Sequence, residues 1–240
     1  MITTIRQPHT LEEIKNSCKM IVGENGQLLE VCRVTEELIQ GLEELSKYEK
    51  LVTIYGSARF HEGTHPMARA AKELGERLVT EAGAGVITGG GPGIMASANR
   101  GAFEAGGVSI GATIIIPHEQ TTNPYVNKVV PFQYFFTRKT ALRVASEMAV
   151  CFPGGFGTFD EFFDLLTLIQ TKKIVRIPLV LFGTEFWGSL DAYIKMMLED
   201  KMGTISPEDR NLYIITDSID DVIEIAKMAP TKETKINRDE

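Results

Sequence analysis

The chain of 240 residues is 43% hydrophobic and carries a formal net charge of −7, which allows one sizeable core and argues against a surface built for nucleic-acid phosphates. Its three cysteines, Cys18, Cys32 and Cys151, form no CxxC pair and are odd in number. They suggest neither a disulfide framework nor a cysteine zinc site, and a reducing cytosol is the default compartment. Met1 to Thr10 has no apolar leader core and no apolar run is long enough to span a bilayer, so a soluble, cytoplasmic protein is expected.

Residues 1–26 are polar, contain Gly23 and Gly26, and read as a loosely attached arm. From Gln27 to Tyr48, apolar Leu28, Val31, Val34, Leu38, Leu42 and Leu45 recur at steps of three or four with charges opposite. That is an amphipathic helix able to cover a sheet edge or a partner subunit. Arm and helix, 1–50, precede a core domain at 51–228. The domain opens on a strand, Leu51 to Tyr55, ending in Gly56-Ser57-Ala58-Arg59. Pro66, a favoured first-turn residue, starts a helix to about Glu81. A second strand, Gly85 to Thr88, runs straight into Gly89-Gly90-Gly91-Pro92-Gly93 and a helix, Ile94 to Ala105.

Ser109 to Ile116 is apolar enough to be buried on both faces, as parallel strands are. After a polar loop, Lys128 to Phe136 reads as a strand with an aromatic end, and Thr137 as the cap of a helix opening on Arg138-Lys139. Met148 to Phe152 is a buried strand, followed by Pro153-Gly154-Gly155-Phe156-Gly157-Thr158 and a helix from Phe159 to Thr171. A strand at Pro178 to Phe182, a helix at Glu185 to Asp200, a strand at Leu212 to Thr216 and a helix at Ser218 to Met228 complete the pattern. The charged residues 229–240 read as a disordered tail.

Strands alternating with helices at this spacing predict an α/β fold, a doubly wound and mostly parallel sheet with helices on both faces. No eighth βα unit is visible to close a barrel. In an open sheet the ligand lies outside the strand carboxyl ends, where the Ser57 turn and both glycine turns fall.

The turn at Pro153 to Thr158 joins a buried strand to a helix N-terminus. Its unpaired N–H groups and the helix dipole make an anion site, most often for phosphate. Thr158-x-x-Glu161 also fits a capping box, which needs no ligand. Gly91-Pro92-Gly93-Ile94-Met95-Ala96 fits the relaxed dinucleotide fingerprint but follows the second strand instead of the first, with Glu119 a poor ribose ligand. His61-Glu62-Gly63-Thr64-His65 matches the zinc-protease string. Gly63 inside it and Pro66 after it deny it the helix that this chemistry needs, and His9 and His118 offer no obvious third ligand, so no metal is expected. Arg138 and Lys139 at a helix start oppose the dipole, which is understandable if an anionic ligand sits there.

Gly89 to Gly93, Arg138-Lys139 and the string from Pro153 to Glu161, in this order and separation, resemble the LOG (Lonely Guy) family. Its members are cytokinin-activating nucleoside 5′-monophosphate phosphoribohydrolases, long labelled lysine decarboxylases. The resemblance covers about Leu51 to Met228. It implies a Rossmann-like fold, no organic cofactor, a homodimer or larger assembly, and hydrolysis of a nucleoside 5′-monophosphate to free base and ribose 5-phosphate. By resemblance Arg138 and Glu161 match the catalytic pair, and Gly155 to Thr158 the phosphate loop. Substrate contacts are expected from Gly56, Ser57, Gly90, Gly91, Gly93, Lys139, Gly154, Gly155, Gly157 and Thr158. Two departures bear on the substrate. The cytokinin enzymes carry an acidic residue directly before the Arg-Lys pair, where this chain has Thr137, and about fifty residues precede Leu51. AMP is therefore as good an expected substrate as a prenylated nucleotide, and a nucleotide or molybdenum-cofactor carrier of the same fold is the alternative.

Overall fold

The computed structural model describes residues 20–22, 28–61, 63–115 and 121–232. The rest of the N-terminal arm, with His9, lies outside the described residues, as do Glu62, His118, Glu119 and 233–240. A short antiparallel pair, β1 (Met20–Val22) and β2 (Leu28–Glu30), leads into α1 (Val31–Ser46). Cys32 in the first turn of α1 is disulfide-bonded, which corrects the reading that the cysteines suggest no disulfide, whereas Cys151 is free and buried.

The core then alternates: β3 (Leu51–Tyr55), α2 (Pro66–Thr80), β4 (Gly85–Thr88), α3 (Ile94–Glu104), β5 (Ser109–Ile114), β6 (Lys128–Phe132), α4 (Phe135–Ala145) and β7 (Met148–Cys151). It continues through α5 (Phe156–Gln170), β8 (Leu179–Phe182), α6 (Thr184–Tyr193), β9 (Ile214–Thr216) and α7 (Ile219–Met228). A wider π-type helical stretch, Ile194–Lys201, extends α6.

The seven strands of the main sheet are all parallel, in the order β6-β5-β4-β3-β7-β8-β9. The chain builds outward from β3 to one edge, then returns to pair β7 with β3 and builds to the other edge. The doubly wound α/β expectation is thus correct. The reversal puts a crevice at the carboxyl ends of β3 and β7, where such sheets bind ligands. Strand alternation sorts the core into two layers. Leu51 and Tyr55 pack on one face with Leu45, Phe132, Leu142, Phe162 and Trp187, while Val52 and Ile54 pack on the other with Leu74, Ile94, Phe152 and Val222.

Three boundaries move in ways that matter for the site. The fourth core strand stops at Phe132, and α4 begins at Phe135 with Tyr134 at its N-cap, so Arg138 sits one turn inside the helix and Thr137 is not the cap. Helix α5 begins at Phe156, so Gly157 and Thr158 belong to its first turn. Its N-cap is Gly155 and no side chain caps it, which removes the capping-box reading of Thr158 and Glu161. At the C-terminus, Ala229 is buried and Lys232 Nζ donates to the carbonyls of Leu45 and Tyr48, each at 2.6 Å, so docked chain runs past 228.

Candidate active site at the switch point

Three strand-to-helix turns meet at the crevice, and the backbone of Ser57 ties them together. Its N–H donates to the Pro153 carbonyl at 3.1 Å, and its carbonyl accepts from the Ile94 N–H at 3.0 Å. The Phe152 N–H adds a bond to the Tyr55 carbonyl at 2.9 Å. The Ser57 hydroxyl accepts from the Arg59 N–H at 3.1 Å, so this side chain serves its own turn.

The turn after β4 is braced from beneath by buried polar side chains. The Thr88 hydroxyl accepts from the Gly90 N–H at 2.9 Å and donates to Asn99 Oδ1 at 2.6 Å. Asn123 donates through Nδ2 to Asn99 Oδ1 and to the Gly91 carbonyl, both at 3.1 Å, while its own N–H meets the Gly90 carbonyl at 2.9 Å. Thr88, Asn99 and Asn123 are all buried, where polar groups need such partners. Sequence reasoning missed all three, because a lone Asn or Thr has no periodic signature. Gly90 and Gly91 are thereby occupied in scaffolding. Gly93 has φ +69°, and a Cβ there would stand 2.4 Å from the Ser57 carbonyl oxygen, so the close approach of the first two turns demands glycine.

The turn after β7 is built differently. None of Gly154, Gly155 and Gly157 has positive φ, contrary to a purely conformational reason for them. A Cβ at Gly154 would stand 2.1 Å from the Thr158 hydroxyl, whereas a Cβ at Gly155 or Gly157 would meet nothing within 4 Å. The last two glycines leave bare backbone at the start of α5. The N–H groups of Phe156 and Gly157 have no intrahelical acceptor, and the first turn holds no acidic residue. An anion is favoured there by both the donors and the dipole.

Arg138 and Glu161 enter from the two helices that flank β7. Arg138 Nε donates to the Ala112 carbonyl at 2.8 Å. Its guanidinium lies over Gly89, where a Cβ would stand 2.2 Å from one terminal nitrogen. Burial lowers the Arg138 pKa, opposed by the charges of Glu161 and Tyr55. Burial raises the Glu161 carboxyl to about 7, against the pull of Arg138 and Lys139 and with the help of Asp160 and Asp164. Glu161 therefore titrates near neutrality beside a permanent cation, a pattern that gathers at active sites.

Tyr55, at the carboxyl end of the central strand beside Cys151, is a further member that the sequence did not single out. It is buried, and its phenol is held well above its ordinary pKa by burial and then by the charge of Glu161. Lys139 lies against the start of α5, lining a cavity with Phe156, Phe159 and Asp160. Its ammonium pairs with Asp160 at 2.9 Å and Asp164 at 3.6 Å on α5, and Arg143 joins Asp164 at 3.3 Å.

The described residues of the zinc-protease string, His61 and Gly63 to His65, lie before α2 and not on a helix. His65 is the N-cap of α2, its Nδ1 accepting from the Met67 N–H at 3.2 Å, and its ring stacks on Phe60 at 3.7 Å. Among the described residues no cluster of metal-ligating side chains occurs, and no helix is long and apolar enough to cross a membrane.

A family model described as "Possible lysine decarboxylase" matches residues 95–226. The chain belongs to this family. Curated relatives include cytokinin riboside 5′-monophosphate phosphoribohydrolase LOG1 of Arabidopsis thaliana, 27% identical over 181 residues that span 74% of this chain and 82% of that protein. Probable cytokinin riboside 5′-monophosphate phosphoribohydrolase LOGL9 of Oryza sativa subsp. japonica is 26% identical over 217 residues, 88% of this chain and 91% of its own. The molybdenum cofactor binding protein of Rippkaea orientalis superposes with a TM-score of 0.57 at 21% identity, over 75% of this chain and 96% of its own. The molybdenum cofactor carrier protein of Chlamydomonas reinhardtii gives 0.52 at 24%, over 75% and 97%. These two structural likenesses show the fold alone.

Proposed function

We propose that the chain hydrolyses the N-glycosidic bond of nucleoside 5′-monophosphates, AMP or an N6-modified AMP, releasing free base and ribose 5-phosphate. One observation carries the reading: a half-buried carboxylate raised to about 7, Glu161, feels the charge of the Arg138 guanidinium and follows the uncapped N-terminus of α5. The 5′-phosphate takes the turn from Gly155 to Thr158, where the Phe156 and Gly157 N–H groups lack an intrahelical acceptor. Held there, it supplies remote binding energy that positions the ribose. As the bond from C1′ to the base nitrogen lengthens, positive charge builds on the ribose ring, as in other glycoside cleavages. Ionised Glu161 opposes that charge and orients a water, which adds to C1′ and gives up a proton. The base leaves with the bonding electron pair and is protonated, while Arg138 orients substrate and favours departure.

The decarboxylation named in the family description needs an amine free to form a Schiff base. Lys139, the lysine nearest the motifs, is ion-paired to α5 and fits that role poorly. No organic cofactor or metal is invoked, and the proposed setting is cytoplasmic. A homodimer is proposed on the apolar rim of the site, where Phe156 is 95%, Phe135 61% and Phe136 49% exposed. Light scattering on the purified protein tests it, a monomer at micromolar concentration being the contrary result.

A carrier of a nucleotide-like cofactor is the second reading, supported by the two structural neighbours, a molybdenum cofactor binding protein and a molybdenum cofactor carrier protein. The test is incubation with AMP, GMP, CMP and N6-isopentenyl-AMP, with free base followed by chromatography. Release from monophosphates and not from the matching nucleosides supports the hydrolase. Tight binding of nucleotide or pterin with no release supports the carrier.

A further inference from the structure

Helix α4 carries the cation of the site yet has a poorly provided N-terminus. Its N-cap, Tyr134, makes no side-chain cap, its first turn has no acidic residue, and Arg138 and Lys139 follow. A helix start of this kind leaves orphan N–H groups and a dipole opposed by cations.

An acceptor at the entry to the helix, for the N–H groups of Gln133 and the N-cap Tyr134, comes from α1, far away in sequence. Glu37 Oε2 accepts from the Gln133 N–H at 2.6 Å and Oε1 from the Tyr134 N–H at 3.2 Å. The buried Thr137 hydroxyl shares its single hydrogen between Glu37 Oε1 and the Tyr134 carbonyl, the latter at 2.8 Å. One stripe of α1 fixes this carboxylate in place. Four residues on, a Cβ at Gly41 would stand 2.7 Å from the Phe132 ring, so the helix lies directly on the end of β6. Glu44 pairs with Lys128 at 2.9 Å, and Leu45 is buried in the core. Glu37, Gly41, Glu44 and Leu45 share one helix face.

Thr137 is the residue immediately before Arg138. The Arg138 N–H bonds back to the Tyr134 carbonyl at 3.2 Å, and the guanidinium then reaches Ala112 and Gly89. The turn that Glu37 clamps is the one that aims this side chain.

We propose that Glu37 is a positioning residue for Arg138, and that the N-terminal helix is thereby a working part of the active site. The inference rests on the hydrolase reading for its kinetic readout only. Its test compares the wild type, Glu37→Ala, Arg138→Lys and the double variant in two assays. One is the rate of phenylglyoxal modification of Arg138, followed by peptide mass spectrometry with Arg143 as the internal standard. The other is kcat and KM for base release from AMP.

Loss of Glu37 should raise Arg138 modification several-fold while leaving Arg143 unchanged. It should lower kcat roughly ten-fold or more with a smaller change in KM, and add little in the Arg138→Lys background, as expected for misplacement of one catalytic group. Glu37→Gln, which keeps the volume and one acceptor oxygen, should fall between, and it replaces the alanine variant if that fails to fold. Unchanged Arg138 modification, or an equal penalty with and without the native arginine, would overturn the inference. A wild type that releases no base would overturn the hydrolase reading instead, and the modification rates alone would then decide the role of Glu37.

Discussion

The two glycine-rich turns look alike on paper and are built for opposite reasons. The turn after β4 is tied down: positive φ at Gly90 and Gly93, the Arg138 guanidinium against Gly89, and a buried Thr88–Asn99–Asn123 network beneath. The turn after β7 is open: no positive φ, no protein atom within 4 Å of a Cβ at Gly155 or Gly157, and no side chain capping the helix it starts. Glycine serves close packing of protein on protein in the first and exposure of backbone donors in the second.

The largest effect that would sharpen this contrast lies beside the open turn. Glu161→Gln should bind AMP but lose roughly 10²- to 10⁴-fold in turnover. Unimpaired base release would remove Glu161 from the mechanism. The same variant carries a pH signature. A folded-state pKa of about 7 against an ordinary 4.5 means that the native protein holds this proton longer than the unfolded chain. The stability from this group is present below pH 4.5 and is lost as pH rises through 7, up to about 3 kcal/mol in all. Urea unfolding at pH 5 and 8 should show that loss in the wild type and a flatter profile in Glu161→Gln.

Gly89→Ala tests the closed turn where it meets the chemistry. The added methyl displaces the Arg138 guanidinium, and kcat should fall on the order of 100-fold with the fold retained. Activity within two-fold of wild type would show that the guanidinium can act from elsewhere. Asn99→Ala strikes the same turn from below. It leaves Asn123 and Thr88 short of partners in the core and should cost about 2–3 kcal/mol in thermal or urea unfolding. The smallest change in stability is expected at Gly157→Ala, which meets open space inside a helix and should be neutral or stabilising by less than about 1 kcal/mol. Its AMP affinity should nonetheless fall, because the new methyl stands over the phosphate donors. Unchanged affinity by calorimetry would move the phosphate off this turn.

Much of the core pattern was legible because it rests on short-range rules. Period-two and apolar runs marked the seven strands of the sheet, Pro66 marked the start of α2 to the residue, and two glycine strings marked turns at strand ends. The errors fell where tertiary contacts overrule local preference. Phe135 and Phe136 looked like strand residues and belong to α4, and Thr158 looked like a cap and lies within α5. At Thr137 the carboxylate that meets this position comes from Glu37 on another helix.

The sequence by itself determined the class of fold, the family and the two residues on which the proposed chemistry turns. Each of these is written in local spacing: strands by alternation, helix starts by proline and glycine, the motif by its string. Only the tertiary structure decided how the site is assembled. The pairing of β7 with β3 makes the switch point and sets Tyr55 beside Cys151, the backbone of Ser57 joins three turns, and α1 sets Glu37 against α4. Such contacts depend on which strand pairs with which and on how closely helices approach. Those are properties of the packed chain, and no window of neighbouring residues encodes them.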